Sequence, residues 1–273
     1  MPVPGQGGMM TDPVTLAVAN AKGGCAKTTS VLHLAVAFAE RGLDVLAVDV
    51  DPQGTLTRQL GITIRGRASV KEVLLDGLPL ADAVVLARPQ LAVLGADLRL
   101  ASADLDLATA VGGDTRLRRA LRKAPYDLIL IDCPPAIGKL TVNALVAADA
   151  FLVPLEPSQY SLEGLDMLQP TVRAVRDNYS PDLEFLGPVL VMAEPRTTVT
   201  KVVREQLEHD WHERFFRTMI RKSQRTKEVA FTRDTLFDGG ETTTTGSDYL
   251  ALATEIGARL KLPLATAAVG GRA

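Results

Sequence analysis

The sequence predicts an α/β protein with a doubly wound, mostly parallel sheet and helices on both faces. Three observations predict it: apolar, β-branched runs of strand length alternate with stretches of helical spacing, a glycine turn joins the first run to the first helix, and two later runs carry aspartate at their carboxyl ends. With 273 residues the chain is long enough to bury a substantial core in one α/β domain. The expected organisation is a flexible arm over 1–13, a single domain over 14–262 and a flexible tail over 263–273.

Val14 to Asn20 (VTLAVAN) is the first predicted strand, apolar enough to be buried on both faces, and it runs straight into a glycine turn. Thr28 to Arg41 follows as a helix, with Val31, Leu32, Leu34, Ala35, Phe38 and Ala39 at helical spacing and a stop at Gly42. Leu43 to Val50 (LDVLAVDV) is the next buried strand and completes a βαβ unit. The alternation continues with Leu91 to Ala96 as a strand, Thr115 to Lys123 as a helix and Tyr126 to Asp132 (YDLILID) as a strand ending in an acid. Further strands are expected at Ala150 to Pro154 and Leu186 to Ala193. Between them Ser161 to Asn178 has a helical pattern that Pro170 should kink or divide. Thr242 to Thr245 and the residues after Pro263 are low-complexity loops or ends.

Composition excludes several classes. The charged residues nearly balance, for a net charge of −2, so nucleic acid is not attracted by the chain as a whole and any anionic partner must be met locally. No run of eighteen apolar residues occurs, and the start lacks the basic-then-apolar order of a secretory signal, so a cytoplasmic protein without a membrane partner is expected. Cys25 and Cys133 are far apart and outside any C-x-x-C spacing, which argues against a disulfide framework or a zinc site. His209 and His212, flanked by Glu208 and Glu213, fit a solvated helix face better than a metal site, because no further thiolate or histidine nearby completes one.

The chemistry concentrates in Lys22-Gly23-Gly24-Cys25-Ala26-Lys27-Thr28-Thr29, between the first strand and the first helix. Glycines there let backbone N–H groups converge on a phosphate, Lys27 brings positive charge to the β/γ oxygens, Thr28 can ligate Mg²⁺ and the helix dipole adds to the attraction. Ala26 stands where the usual G-x-x-x-x-G-K-[ST] pattern has its second glycine. The segment instead matches KGGxxK[ST], and in this it resembles the deviant Walker loop of the ParA/MinD group of P-loop NTPases. The resemblance implies ATP and Mg²⁺ as ligands, Lys22 to Thr29 as the binding loop, Lys22 and Lys27 as catalytic lysines, and a homodimer in which Lys22 reaches the partner subunit's nucleotide. The absence of an N-K-x-D stretch also favours ATP over GTP.

Two acidic motifs extend the resemblance. Asp49-Val50-Asp51-Pro52-Gln53-Gly54 looks like the D-x-D-P-Q-G switch sequence of ParA and Soj, although Asp-Pro-Gln-Gly alone is also a good turn. By the resemblance Asp51 orients the attacking water, while Asp49, with Thr28 and Asp132, holds the metal. Leu128 to Pro135 (LILIDCPP) looks like a Walker B strand followed by the D-x-P-P loop. A carboxylate ending an apolar strand is tolerated only where water, a partner or a cation compensates it. Cys25 has two open readings: a redox-sensitive thiol, since a helix N-terminus lowers thiol pKa, or a tolerated small residue.

From Arg196 to Arg233 ten basic residues face five acids, a local charge of +5 that leaves −7 for the rest of the chain. Such asymmetry is the footprint of phosphate-backbone contact, though a solvated charge run has the same composition. It looks like the region through which ParA and Soj dimers bind DNA without sequence preference, with Arg196, Lys201, Arg204, Arg221, Lys222, Arg225 and Lys227 as the candidate contacts. Ile220 to Val229 departs from the family's usual loop there. Gly246 to Leu260 looks like the family's closing helix, so the resemblance spans most of the chain. It implies a weak ATPase stimulated by a ParB-like partner, nucleoid association and partition of DNA, in the short form without a helix-turn-helix domain before Val14.

Two rivals share the nucleotide fold. A MinD-like positioning ATPase acting on a membrane or a protein cluster would need an amphipathic C-terminal helix, and LKLPLATAAVGGRA is broken by Pro263. A cobyrinate synthase would need a glutaminase domain, and an iron-sulfur reductase a further cysteine pair.

Overall fold

The computed structural model describes residues 12–238 and 243–264. Most of the expected arm and tail, and the start of the threonine run at 242, lie outside the described residues.

Among the described residues seven strands form one sheet in the order β3-β4-β2-β5-β1-β6-β7. They are β1 (Val14–Val18), β2 (Val45–Asp49), β3 (Val84–Arg88), β4 (Leu91–Leu94), β5 (Leu128–Asp132), β6 (Ala150–Leu155) and β7 (Glu184–Leu190). All pairings are parallel except that of β3 with β4. Every residue of β2, β4, β5 and β6 is buried, so these strands are continuous apolar runs rather than alternating ones.

The helices are α1 (Lys27–Ala39), α2 (Thr55–Gln59), α3 (Val70–Leu75), α4 (Leu80–Ala83), α5 (Ala103–Thr109), α6 (Arg116–Leu121), α7 (Lys139–Ala147), α8 (Glu163–Asn178), α9 (Thr198–Trp211), α10 (Gln224–Thr232) and α11 (Thr244–Arg259). They divide between the two faces of the sheet. Ala17, Leu46, Ile129 and Phe151 meet α3 and α5 to α9 on one face, while Leu16, Val45, Leu128 and Leu152 meet α1, α2, α10 and α11 on the other. The doubly wound sheet is therefore present as expected.

Three local expectations are corrected. Pro170 does not divide its helix: it lies on the exposed face of α8, where water can meet the carbonyl of Asp166 that its missing N–H leaves unbonded. The last strand begins at Glu184 and ends at Leu190, earlier than the apolar run suggested. The antiparallel edge strand β3 was not expected, because VVLAR follows a single helical turn and is only half-buried, without a clear period.

The segment after α9 lies along the outer edge of β7, where Phe216 N–H donates to the Pro188 carbonyl (3.2 Å) and Ile220 N–H to that of Leu190 (2.8 Å). A parallel bridge then pairs Ala193 with Arg221. Two basic stretches separated in sequence, around Arg196 and around Lys222, thereby come to the same end of the sheet.

Candidate active site

The strand register levels three chain positions at the carboxyl edge of the sheet: Val18 lies opposite Asp132, and Asp132 lies opposite Asp49. The loop from Asn20 to Ala26 leaves β1 at this edge, the place where open α/β sheets bind ligands.

The loop is tied down from within. Asn20 donates through Nδ2 to the Pro154 carbonyl at 2.8 Å, and its Oδ1 accepts from the Lys22 N–H at 2.8 Å. The buried Lys27 ammonium donates to the carbonyls of Asn20 (3.0 Å) and Lys22 (2.9 Å), closing the turn around its own charge. Ala26 caps α1 in the left-handed conformation, φ 57° and ψ 27°, which explains why glycine is the usual residue there. Among the described residues no side chain caps this helix, and no acid occupies its first turn, so its first N–H groups and its dipole remain available to an anion. Gly23 and Gly24 stand in open space, and the Lys22 ammonium has no partner among the described residues.

The carboxylates differ sharply. Asp49 is fully buried; Oδ2 accepts from the Thr57 N–H (2.9 Å) and the Thr57 hydroxyl (2.7 Å), and Oδ1 from the Asp51 N–H (3.1 Å). Burial raises its pKa to about 6 against the pull of the Thr57 bonds. Asp132 is equally buried, and neither carboxylate oxygen has a hydrogen-bond partner among the described residues. Burial and then the neighbouring Asp49 charge hold its pKa well above the ordinary carboxylate range, Asp51 adding to the rise while the nearby Thr28 hydroxyl and the Lys27 ammonium act the other way.

An orphaned carboxylate of this kind costs free energy unless a cation compensates it. Together with the Thr28 hydroxyl it fits a hard divalent cation such as Mg²⁺. Among the described residues no three of His, Cys, Asp and Glu gather into a metal cage, so such a cation needs water and phosphate oxygens to complete its shell. Asp49 has less room for that task than its spacing suggests, because Oδ2 is taken by Thr57.

Asp51 is partly exposed and accepts the Gln53 N–H through Oδ1 at 2.9 Å, while the Gly54 N–H donates to its carbonyl at 2.8 Å. The turn requires glycine: Gly54 has φ +59°, and a Cβ there would lie 2.5 Å from the Ala96 carbonyl oxygen. Arg58 on α2 donates back to the Gln53 carbonyl and to the Thr55 hydroxyl.

Of the two readings of Cys25, its surroundings favour the tolerated small residue over the redox-sensitive thiol. Its thiol is buried, donates to the Lys22 carbonyl at 3.1 Å, and burial raises its pKa more than the Lys27 charge lowers it. His33, one turn into α1, stacks on Tyr249 at 5.0 Å, and burial pulls its pKa down to about 4, so it is a neutral core residue. His209 and His212 are exposed.

On the basic face, four of the seven candidate contacts are ion-paired. Arg204 meets Glu208 (2.8 Å), Lys222 meets Glu194 (2.7 Å), and Arg225 meets Glu228 (3.3 Å). Arg221 grips Asp248 of α11 with two nitrogens, at 2.6 Å and 2.9 Å, and is committed to holding that helix. Arg196, Lys201 and Lys227 are exposed and have no acidic partner among the described residues.

Sequence reasoning missed Asn20 and Thr57. Asn20 carried a signal, a polar residue closing an apolar strand; Thr57 carried none, since only the folded α2 brings it to Asp49.

A family model described as an AAA domain matches residues 14–185. The chain is 39% identical over 248 residues to the chromosome-partitioning ATPase Soj of Thermus thermophilus, covering 90% of this chain and 96% of that one. It is 37% identical over 228 residues to the chromosome partitioning protein ParA of Caulobacter vibrioides, covering 81% and 85%. Among solved structures, a cobyrinic acid a,c-diamide synthase from Mycobacterium smegmatis with bound ATP analog and magnesium superposes with a TM-score of 0.80 at 31% identity, over 93% of this chain and 100% of that one.

Proposed function

The chain belongs to the ParA/Soj family of partition ATPases, and from that premise we propose that it is a nucleotide-gated DNA-partition switch. It hydrolyses ATP to ADP and phosphate and uses Mg²⁺. In the proposed cycle the ATP-bound form is a homodimer that binds DNA without sequence preference, and a ParB-like partner stimulates hydrolysis and release. The observation that carries this reading is the lateral alignment of Asp49 with the orphaned Asp132 beside a phosphate loop led by the unpartnered Lys22.

In this reading the loop from Lys22 to Thr29 cradles the phosphates with its backbone N–H groups, and Lys27 leaves its carbonyls for the β/γ oxygens. Thr28 and Asp132 would hold Mg²⁺, with Asp49 fixing the strand edge beside Asp132. When bound, the cation neutralises charge developing on the phosphate oxygens. Asp51, held by the Gln53 N–H, orients the attacking water for in-line displacement. Lys22 reaches across the dimer.

DNA contact begins with the unpaired Arg196, Lys201 and Lys227. Lys222, Arg225 and Arg204 join by exchanging carboxylates for phosphates, and Arg221 organises the face rather than touching DNA. A single domain over 14–262 carries all of this, and nucleoid association in the cytoplasm follows from it.

The likeness to the mycobacterial cobyrinic acid a,c-diamide synthase offers a second reading, an amide-forming enzyme, which with glutamine as nitrogen source would need a glutaminase thiol. The chain's two cysteines argue against a glutaminase here, because Cys25 and Cys133 are both buried with raised thiol pKa values. A MinD-like membrane role would draw on residues outside the described ones; among those described, no helix is long and apolar enough to cross a membrane.

Co-sedimentation with DNA at fixed salt, with no nucleotide, ADP, ATP or a non-hydrolysable analogue, tests the proposal. Binding is expected with ATP and the analogue only, and lost in Lys22→Gln. DNA binding indifferent to nucleotide, or none at all, would refute the switch.

A further inference from the structure

A concave site opens where β4 ends and α2 passes, and no residue of the phosphate loop lines it. Thr57, Arg58, Arg65, Asp97, Arg99 and Arg233 line a cavity of about 590 Å³, in the size range of small-ligand sites. Four arginines there face one aspartate. Arg99 is spoken for, bonded to Asp97 at 2.9 Å and to Glu72 at 2.7 Å. Arg58, Arg65 and Arg233, all exposed, have no acidic partner among the described residues, so the lining carries more arginine than acid. Like charges so placed repel one another, and the planar forks of arginine are suited to a tetrahedral oxyanion.

We propose that this cavity binds a phosphate-bearing anion and that its occupant is coupled to the switch segment Asp51–Gly54 through Arg58. The Arg58 guanidinium now donates to the Gln53 carbonyl. The N–H of Gln53 is the donor that holds Asp51 Oδ1 at 2.9 Å. An anion in the cavity competes with the Gln53 carbonyl for Arg58, frees the Gln53 backbone and loosens Asp51. A second route runs through Thr57, which lines the cavity while its hydroxyl holds Asp49 at 2.7 Å. Occupancy thus opposes hydrolysis by favouring an arrangement in which the acidic edge is less well held. The site stands on the cavity and its charges alone; the effect on hydrolysis rests on the proposed role of Asp51.

The test fills the phosphate loop first, with a non-hydrolysable ATP analogue and Mg²⁺, and then titrates inorganic phosphate into wild type and Arg65→Ala/Arg233→Ala while following Tm. A short DNA duplex is run as a parallel ligand. The wild type should show a saturable rise in Tm, and the double variant a phosphate affinity at least about tenfold weaker. In ATP turnover, the variant should keep its basal rate, which certifies its fold, and should lose the part of phosphate inhibition that exceeds simple product inhibition. No saturable rise, or the same rise in both proteins, overturns the site. A rise with DNA but not with phosphate overturns it too and assigns the arginines to the DNA face. Saturable binding sensitive to the variant, with hydrolysis indifferent to it, upholds the site and overturns the coupling through Asp51.

Discussion

The carboxyl edge of the sheet and the basic face around α9 and α10 are both built from charged residues, but their geometry has different origins. At the edge, backbone register decides: Asp49, Asp132 and Val18 are level because β2, β5 and β1 are hydrogen-bonded in that order. On the basic face, side-chain partners decide. Lys222 is quenched by Glu194 and Arg221 by Asp248, residues far from them in sequence. Charge that is fixed by a strand end can serve chemistry at once, whereas ion-paired surface charge becomes available only after its partner is displaced, and many such exposed pairs contribute little to stability.

The largest expected effect separates two members of the basic face. Arg221→Ala removes the side-chain partner of the largely buried Asp248 and should destabilise the fold by about 1–3 kcal/mol in denaturant unfolding. Lys227→Ala should leave stability unchanged and lower the salt dependence of DNA binding by about one phosphate contact. Equal stability losses in the two variants would dissolve the distinction between a structural arginine and a free lysine.

A smaller effect is expected at the edge. Thr57→Val keeps the shape but removes the hydroxyl that donates to Asp49 at 2.7 Å and accepts the Ala96 N–H at 2.9 Å. The expected cost is about 1–2 kcal/mol, with a fall in ATP turnover and little change in nucleotide affinity, read as kcat against KM. Unchanged turnover would mean that Asp49 needs no positioning from α2.

The smallest effect concerns Ala26. Ala26→Gly relieves a left-handed backbone but gives the unfolded chain more freedom, so net stability should change by less than about 1 kcal/mol while nucleotide affinity is retained or improved. Nucleotide titration by calorimetry checks it, and weaker binding would mean that the alanine methyl itself supports the loop.

The same contrast explains what was legible in the sequence. The strand–glycine loop–helix unit, the paired aspartates and the acid closing β5 could be placed at strand ends from local pattern, while the aspartates' roles came from the family resemblance. Thr57 could not, since its relation to Asp49 arises from the way α2 folds back. Nor could the environment of Cys25, where burial outweighs the helix N-terminus. The edge strand β3 escaped because its half-buried residues follow no period, and Pro170 gave a break the helix does not have because its exposed face tolerates one. Charge counting over Arg196 to Arg233 could not anticipate that Arg221 is bound to Asp248.

The central claim is that the buried edge is built for a cation and a nucleotide together, at the expense of the empty protein. Asp132→Asn tests it most directly, through Tm at pH 8 with and without Mg²⁺ and a non-hydrolysable ATP analogue. The raised pKa of Asp132 means that its unpartnered carboxyl weakens the fold increasingly as pH rises above the ordinary carboxylate range, so a neutral amide in its place should raise the Tm of the empty protein. The substitution should also abolish most of the stabilisation that Mg²⁺ and the analogue give the wild type. A lower Tm without ligand, together with an undiminished gain from Mg²⁺ and the analogue, would contradict the account.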